Sequence, residues 1–298
     1  MKFYGNGKLL LTAEYAVLDG AQALCLPTKL GQSLEVTETK QPGIFWQSFD
    51  CYQKIWFEDS FYWENEKLIA KSDSKFSKRL IQILQKAQQL SKIDISNKGF
   101  KITTLLDFER KWGLGTSSTL ISTISQWLQI SPYTLLTETF GGSGYDLACA
   151  TANGPILYEN TPEKTVLSAS FNPDFKKDLF FVYLNKKQNS REAITHYRDQ
   201  TSVDIQKLTL KISNITQQLL KSEDLAAFEL LLDIHETIVS KAIGLPKVKA
   251  KHFSDYTGSV KSLGAWGGDF VLATRQDALT YFKNKGFETI IPYDEIIL

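Results

Sequence analysis

The sequence predicts an α+β protein, on the evidence of strand-like segments in its first half and an ordered strand and helix pattern in its second half. The alternating, β-branched residues of Gly99–Leu106 are typical of a strand. Near the end, a strand, glycine turn and second strand (259–274) follow helical segments and precede a helix (276–285) and a short strand near Ile290. This order predicts a ferredoxin-like layer of helices on a sheet. A chain of 298 residues is long enough for two such domains.

Aromatic-rich segments between residues 27 and 66 predict strands at 33–39, 44–49 and 52–57. Such rings could stack on nucleic-acid bases. The charges between them are mostly acidic, however, and the formal net charge of the whole chain is only +1. We therefore interpret this region as sheet core and edge, and expect no nucleic-acid partner.

A loop of glycines and hydroxyl residues leads into a helix whose apolar face is Leu120, Ile124 and Leu128. The first N–H groups of a helix lack intrahelical partners and the helix dipole is positive there, so this loop predicts a phosphate site. It differs from the common P-loop because no Lys-Ser/Thr pair closes it. A simple capped turn is the alternative. The loop consists of Gly113, Leu114, Gly115, Thr116, Ser117, Ser118 and Thr119.

A second glycine loop precedes Asp146 and repeats the loop-to-helix pattern. It contains Gly141, Gly142, Ser143 and Gly144. An aspartate near a helix start is explained by capping and the helix dipole alone. Three glycines are more than a cap requires, so a functional carboxylate is the second interpretation.

Lys8 and Glu14 flank an apolar run near the start of the chain. Lys8 is either a solvated turn residue or a cation in a cleft. Glu14 lies in apolar surroundings where an unpaired carboxylate is costly to bury, so a partner is expected.

The turn and helix after the strand predicted at 179–184 are basic, which predicts an anion site. In a helix that starts near Ser190, Arg191 and Arg198 share a face. A solvated basic surface is the alternative. His235 continues a helical apolar stripe and is interpreted as a core or boundary histidine rather than a catalytic one. The basic residues are Lys186, Lys187, Arg191, His196 and Arg198.

Three widely spaced cysteines, Cys25, Cys51 and Cys149, predict neither a disulfide scaffold nor a zinc site, and we interpret them as small buried thiols. No segment approaches the roughly 18 apolar residues of a membrane span. A cytoplasmic protein without a membrane partner is therefore expected.

Four motifs in order, GKLLLTAEYAVL, GLGTSSTL, GSGYDLA and GAWGGD, resemble those of the GHMP kinases. This family contains galactokinase, homoserine kinase, mevalonate kinase and phosphomevalonate kinase. The resemblance implies an N-terminal domain (1–164) like domain 2 of ribosomal protein S5, a ferredoxin-like C-terminal domain (165–298), and ATP on the central glycine loop. GSGYD and the terminal Gly-Gly-Asp look most like the phosphomevalonate kinase branch, because mevalonate kinases have glycine where Asp269 stands.

The resemblance also implies a role for each matching residue. Lys8 and Asp146 are the expected catalytic pair, residues 113–119 hold ATP, and Ser117 with Glu138 holds Mg²⁺. Two tryptophans depart from the family pattern, since Trp112 and Trp266 replace small residues; either ring could stack on adenine or block it. Glu138 lies nearer to Asp146 than the metal-binding glutamate of mevalonate kinase does to its aspartate. The expected substrate residues are Glu14, Ser143, Gly144, Ser190, Arg191, Gly264 and Gly267.

Together, these features predict an ATP- and Mg²⁺-dependent kinase acting on phosphomevalonate or mevalonate. Its expected partner is a small anionic molecule, and the chain is expected to be a monomer or homodimer. Two alternatives remain open on the same fold: a diphosphomevalonate-type decarboxylase and a non-catalytic binding protein.

Overall fold

The structure is a computed structural model that describes residues 1–161, 163–200 and 203–298, and the chain divides into two compact units. The first unit comprises Met1–Gly7, Leu30–Arg110 and Leu114–Thr151. The second comprises Lys8–Lys29, Lys111–Gly113 and Ala152–Leu298. The units are interleaved in the sequence, and the predicted division after residue 164 stays a prediction.

Six strands lie wholly or partly in the first unit, and they belong to a sheet that has eight strands in the described ranges. Their bounds are Lys2–Leu10 (β1), Ala23–Thr39 (β2), Gly43–Phe49 (β3), Ile55–Glu64 (β4), Lys67–Ala70 (β5) and Gly99–Leu106 (β6). The order is β5, β4, β3, β6, β2, and β1 also pairs with β2. The pair of β3 and β6 is parallel, whereas β4 is antiparallel to β3 and β5, and β2 is antiparallel to β6. Strands β1 and β2 each contribute residues to both units.

Four helices complete the first unit: Lys75–Leu90 (α1), Thr116–Leu128 (α2), Pro132–Thr139 (α3) and Tyr145–Thr151 (α4). Helix α1 begins where Ser74 Oγ accepts a hydrogen bond from the main-chain N–H of Ser77 (3.0 Å). Its apolar stripe buries Leu80, Ile83 and Ala87 in a core shared with the sheet. Helix α2 packs against α1, α3 and α4. The predicted strand 99–106 and the helix after the glycine loop are confirmed.

The predicted strand at 52–57 is wrong in its first half. Residues 51–53 lie in a turn, because Asp50 Oδ1 accepts hydrogen bonds from the main-chain N–H groups of Tyr52 (3.0 Å) and Lys54 (2.9 Å). Strand β4 begins only at Ile55. A local side-chain acceptor thus competes with the sheet for these N–H groups and overrides the strand propensity of the aromatic residues.

The second unit contains two groups of strands. Strand β7 (Ile156–Glu159) pairs with residues 23–25 of β2 and with β8 (Thr165–Ser168). A separate antiparallel sheet consists of β9 (Leu179–Tyr183), β10 (Val260–Ser262), β11 (Phe270–Thr274) and β12 (Ile290–Pro292). Its order is β10, β11, β9, β12. All residues of β9 and β11 are buried, as expected for its two central strands.

The helices of the second unit are Ser190–Arg198 (α5), Ile205–Leu220 (α6), Leu225–Ile243 (α7), Val248–His252 (α8), Ala278–Asn284 (α9) and Tyr293–Ile296 (α10). Two short 3₁₀ helices lie at Ala16–Asp19 and Asp174–Asp178. The predicted order of helix, strand, strand, helix, strand is confirmed by α7, β10, β11, α9 and β12, with the short α8 inserted. The α+β class is therefore confirmed.

None of the helices in the described ranges is both long and apolar enough to cross a membrane. The three cysteines all lie in the described ranges, and none of them forms a disulfide bond. Cys25 and Cys149 are buried as predicted, whereas Cys51 is partly exposed.

Candidate functional site

The hydroxyl groups in the N-terminal turn of α2 differ in their exposure to solvent. Gly115 precedes the helix in the left-handed region (φ 100°), where glycine is favoured. Ser118 Oγ donates to the Gly115 carbonyl oxygen (2.8 Å), and Thr119 Oγ1 donates to Gln32 Oε1 (2.7 Å). Ser117 is exposed. The buried hydroxyls therefore stabilise the turn, and Ser117 is the most exposed of its four hydroxyl residues.

The first part of the predicted phosphate loop belongs to the second unit. Lys8 Nζ donates a hydrogen bond to the carbonyl oxygen of Gly113 (3.0 Å). Trp112 packs edge-on against Phe270, with ring centroids 5.7 Å apart. The next residue, Leu114, is fully buried. Residues 112 and 113 are thus held by contacts within the second unit.

The second glycine loop places Asp146 in the first turn of α4, as predicted. Gly141, Gly142 and Gly144 have φ angles of 70°, 103° and 89°, which are readily adopted only by glycine. Ser143 is buried. Asp146 Oδ1 is buried and has no hydrogen-bond partner within the described ranges. Since buried carboxylate oxygens are normally paired, this atom retains an unused capacity to accept a hydrogen bond.

Lys8 belongs to the second unit and Asp146 to the first. Their predicted pairing stays a prediction. The same holds for the roles of all residues transferred from the resemblance.

Glu14 has the buried partner that the sequence leads one to expect. Its Oε1 lies 2.6 Å from Lys261 Nζ, and both side chains are fully buried. His235 Nε2 accepts the main-chain N–H of Ala13 (2.9 Å) and lies 3.6 Å from Glu14 Oε2. Glu236 Oε1 lies 3.8 Å from Lys261 Nζ. We call these four residues, Glu14, His235, Glu236 and Lys261, the Lys261 cluster.

Burial governs the proton equilibria of the Lys261 cluster. It raises the pKa of Glu14 to about 7 and that of Glu236 to about 8, although the positive charge of Lys261 lowers both. Burial also lowers the pKa of His235 well below its usual value. His235 is therefore the buried core histidine that the sequence predicts, and it is neutral near pH 7.

The glycines of the last motif surround a buried tryptophan. Gly264 and Gly267 have φ angles of 69° and 85°. Trp266 Nε1 donates to the Pro246 carbonyl oxygen (3.0 Å), and its main-chain N–H donates to Tyr15 Oη (3.0 Å). With 6% of its surface exposed, Trp266 belongs to the core of the second unit rather than to a nucleotide-facing surface.

The predicted basic cluster contains exposed residues and residues that bind other parts of the protein. Ser190 and Arg191 are the first two residues of α5 and are exposed, and Asn189 is the N-cap of this helix. Arg198 is bound to Asp19, with Nη1 and Oδ1 2.5 Å apart. His196 Nε2 lies 2.8 Å from the carbonyl oxygen of Ile243.

Glu138, the second predicted magnesium ligand, lies near the end of α3. Its carboxylate is half exposed and lies 3.2 Å from Lys86 Nζ. Across the described ranges, no group of three or more His, Cys, Asp or Glu side chains is placed to hold a metal ion.

Two functional candidates were not predicted. Lys261 lies in a segment that reads as an ordinary strand, and only the expectation of a partner for Glu14 signals it. Asp269, noted in the sequence only as a family marker, accepts a hydrogen bond at Oδ1 from the main-chain N–H of Gln188 (3.1 Å) and lies against Gly113.

The fold defined by these two units is that of the GHMP-type small-molecule kinases. The mevalonate kinase of Methanococcus jannaschii has a TM-score of 0.70 and 19% sequence identity, over 98% of this chain and 96% of the other. Phosphomevalonate kinase of Streptococcus pneumoniae, in complex with phosphomevalonate and AMPPNP, has a TM-score of 0.70 and 15% identity, over 97% and 99%. Galactokinase of Lactococcus lactis, complexed with galactose, has a TM-score of 0.64 and 13% sequence identity, over 95% of this chain and 87% of the other.

The resemblance carried by the four motifs is thus confirmed at the level of the fold, including the two-domain architecture. No protein-family profile and no curated protein sequence matches the chain.

Proposed function

We propose that the protein is an ATP- and Mg²⁺-dependent kinase that transfers the γ-phosphate to a small molecule. The observation that carries the proposal is the first turn of α2, where Gly115 and the exposed Ser117 stand at the positive end of a 13-residue helix. The fold shared with solved small-molecule kinases supports it, and one of those structures contains AMPPNP.

In this proposal, Asp146 and Lys8 act on the reacting groups. Asp146 has a buried oxygen without a hydrogen-bond partner in the described chain, so it can orient an acceptor hydroxyl and take its proton. Lys8 offsets negative charge on the transferring phosphoryl group. Phosphoryl transfer depends mainly on positioning and charge neutralisation, and these two residues with the loop cover both requirements.

The side chains fit a magnesium ion that arrives with ATP rather than one held by a protein cage. Mg²⁺ commonly uses one or two protein oxygens together with phosphates and water. The exposed hydroxyl of Ser117 could serve as one of these protein oxygens. Glu138 would first have to leave Lys86. When bound, the ion would neutralise charge on the triphosphate.

For the acceptor we propose an anionic isoprenoid precursor, with phosphomevalonate ahead of mevalonate. Exposed Ser190 and Arg191 at the start of α5 support this, because arginine binds phosphate and carboxylate in a bidentate manner. The Gly-Gly-Asp ending at Asp269, which resembles phosphomevalonate kinase, supports the phosphorylated compound. Structures of a mevalonate kinase and a phosphomevalonate kinase among the similar folds agree with this choice.

The test is ADP release by the purified protein with Mg-ATP and each of mevalonate, phosphomevalonate, homoserine and galactose. We expect turnover with phosphomevalonate. Activity with galactose or homoserine and with neither mevalonate compound would refute the acceptor and leave the kinase intact.

Two further measurements separate the alternatives. Carbon dioxide release with diphosphomevalonate would identify a decarboxylase. Calorimetry that shows no binding of Mg-ATP would refute both enzymes and favour a binding protein.

A further inference from the structure

The carboxylate of Asp269 is held rigidly in the second unit. The residue is 8% exposed and has a φ of 51°, a conformation that few residues other than glycine adopt. Its main-chain N–H donates to Lys186 O (2.7 Å), and its own carbonyl accepts from Leu184 N–H (2.8 Å). With Gln188 N–H bound to Oδ1, both its backbone and its side chain are fixed.

The Asp269 carboxylate occupies the space that a side chain at position 113 would need. A Cβ atom added to Gly113 would lie 2.4 Å from Asp269 Cγ, and 2.5 and 2.8 Å from its two oxygens. Atoms that are not bonded to each other do not approach so closely. Gly113 also has a φ of 72°. The first glycine of the phosphate loop is therefore required by contact with Asp269 as well as by its own conformation.

The positive charges of two lysines act on the same carboxylate. The charges of Lys8 and Lys187 lower the pKa of Asp269, although burial has the larger effect and raises it overall. Lys8 Nζ in turn donates to the carbonyl oxygen of Gly113. Gly113 thus lies next to both Lys8 and Asp269, and we call these three residues the Lys8 group.

We propose that Asp269 is a positioning residue that holds both Gly113 and the ammonium group of Lys8 in place. Packing of the carboxylate fixes the glycine, and its charge favours the observed position of Lys8. Only the consequence for phosphoryl transfer rests on the proposed function, because in that proposal Lys8 offsets the charge of the transferring phosphoryl group.

Two substitutions separate packing from charge. Asp269→Asn keeps the shape and an acceptor for Gln188 N–H but removes the charge. Asp269→Ala removes the contact with Gly113. An exposed aspartate of the same unit, Asp255, which pairs with Lys285 (3.0 Å), supplies the control Asp255→Asn.

A double-mutant cycle on urea unfolding tests the packing. Gly113→Ala should raise the equilibrium constant for unfolding in the wild-type background. In the Asp269→Ala background the increase should be smaller by a factor of about ten or more, because the added methyl group meets no carboxylate there. Equal effects in both backgrounds would refute the contact.

Acylation of lysines by a small succinimidyl ester, followed by mass spectrometry, tests whether Asp269 keeps the ammonium group of Lys8 in place. In Asp269→Asn, Lys8 should react about threefold faster or more than in the wild type, while exposed Lys40 reacts equally in both. Asp255→Asn should leave both lysines unchanged. An unchanged rate at Lys8 in Asp269→Asn would overturn the proposal.

Kinetics test the consequence for transfer. Asp269→Asn should lower kcat by about tenfold with KM for ATP within about twofold, and should change kcat less than about twofold in a Lys8→Ala background. A purely structural residue would lower kcat by the same factor in both backgrounds, which would refute action through Lys8. Should the wild type phosphorylate no acceptor, the proposed function fails, while unfolding and acylation still decide the contacts of Asp269.

Discussion

The Lys261 cluster predicts that the folded protein loses stability as the pH rises through neutrality. Burial raises the pKa of Glu236 to about 8, compared with a usual value of 4.5. A carboxyl group whose pKa is higher in the folded state binds more protons when folded. Its favourable contribution is complete below the unfolded pKa and is lost as the pH rises through the folded pKa.

The substitution Glu236→Gln removes this dependence while keeping the shape of the protonated acid. Glutamine retains the acceptor for the main-chain N–H of Ser262, which lies 3.1 Å from Glu236 Oε1. Each unit of pKa shift corresponds to about 1.4 kcal/mol. Integrated from pH 5 to pH 8, the stability of the variant relative to wild type should therefore rise by roughly 3 kcal/mol.

Urea unfolding followed by circular dichroism at pH 5, 6, 7 and 8 measures this difference. The comparison with wild type removes the opposite effect of His235, whose lowered pKa costs stability only as the pH falls below its unfolded value. Glu14 and Lys261 are also present in both proteins. Exposed Glu223 supplies the control Glu223→Gln, which should keep the wild-type profile. A difference between Glu236→Gln and wild type that is constant from pH 5 to pH 8 would refute the reasoning.

Three substitutions test the proposed kinase. Asp146→Asn should lower kcat about 10²-fold and leave the affinity for AMPPNP, measured by calorimetry, unchanged, as expected for loss of a general base. Wild-type turnover would leave Asp146 only a role at the helix start. A small decrease in kcat would favour a phosphorylated acceptor, which is already ionised near pH 7. Gly115→Val should abolish ATP binding in calorimetry, because the valine side chain would enter the space of the phosphates and because Gly115 has a φ of 100°. A folded variant that binds ATP with normal affinity would place the nucleotide elsewhere. Arg191→Ala should raise KM for the anionic acceptor more than KM for ATP in steady-state assays; equal increases would remove Arg191 from the acceptor site.

Local patterns in the sequence were sufficient to predict the elements that carry the candidate site. The strand 99–106, helix α2 and the start of α4 follow from periodicity and glycine placement, which act over a few residues. The start of β4 could not be predicted in the same way. There the carboxylate of Asp50 binds two N–H groups of its own turn, and this outweighs the strand propensity of the aromatic side chains.

The side-chain contacts that fix the second unit were beyond such reasoning. A lysine in a short strand reads as a solvated residue, and Lys261 is buried only because Glu14 is there to receive it. The contact of Asp269 with Gly113 likewise joins residues far apart in the chain. Each pair is specified by tertiary packing, which periodicity does not encode.

The pairing of Glu14 with Lys261 also sets an order of events during synthesis on the ribosome. The two residues are 247 positions apart. At about 5–20 residues per second, Lys261 is added roughly 12 to 50 seconds after Glu14. During this interval the Glu14 carboxylate has to stay in water, since burying it unpaired is costly. The segment Lys8–Lys29 therefore reaches its native surroundings only after Lys261 has been added.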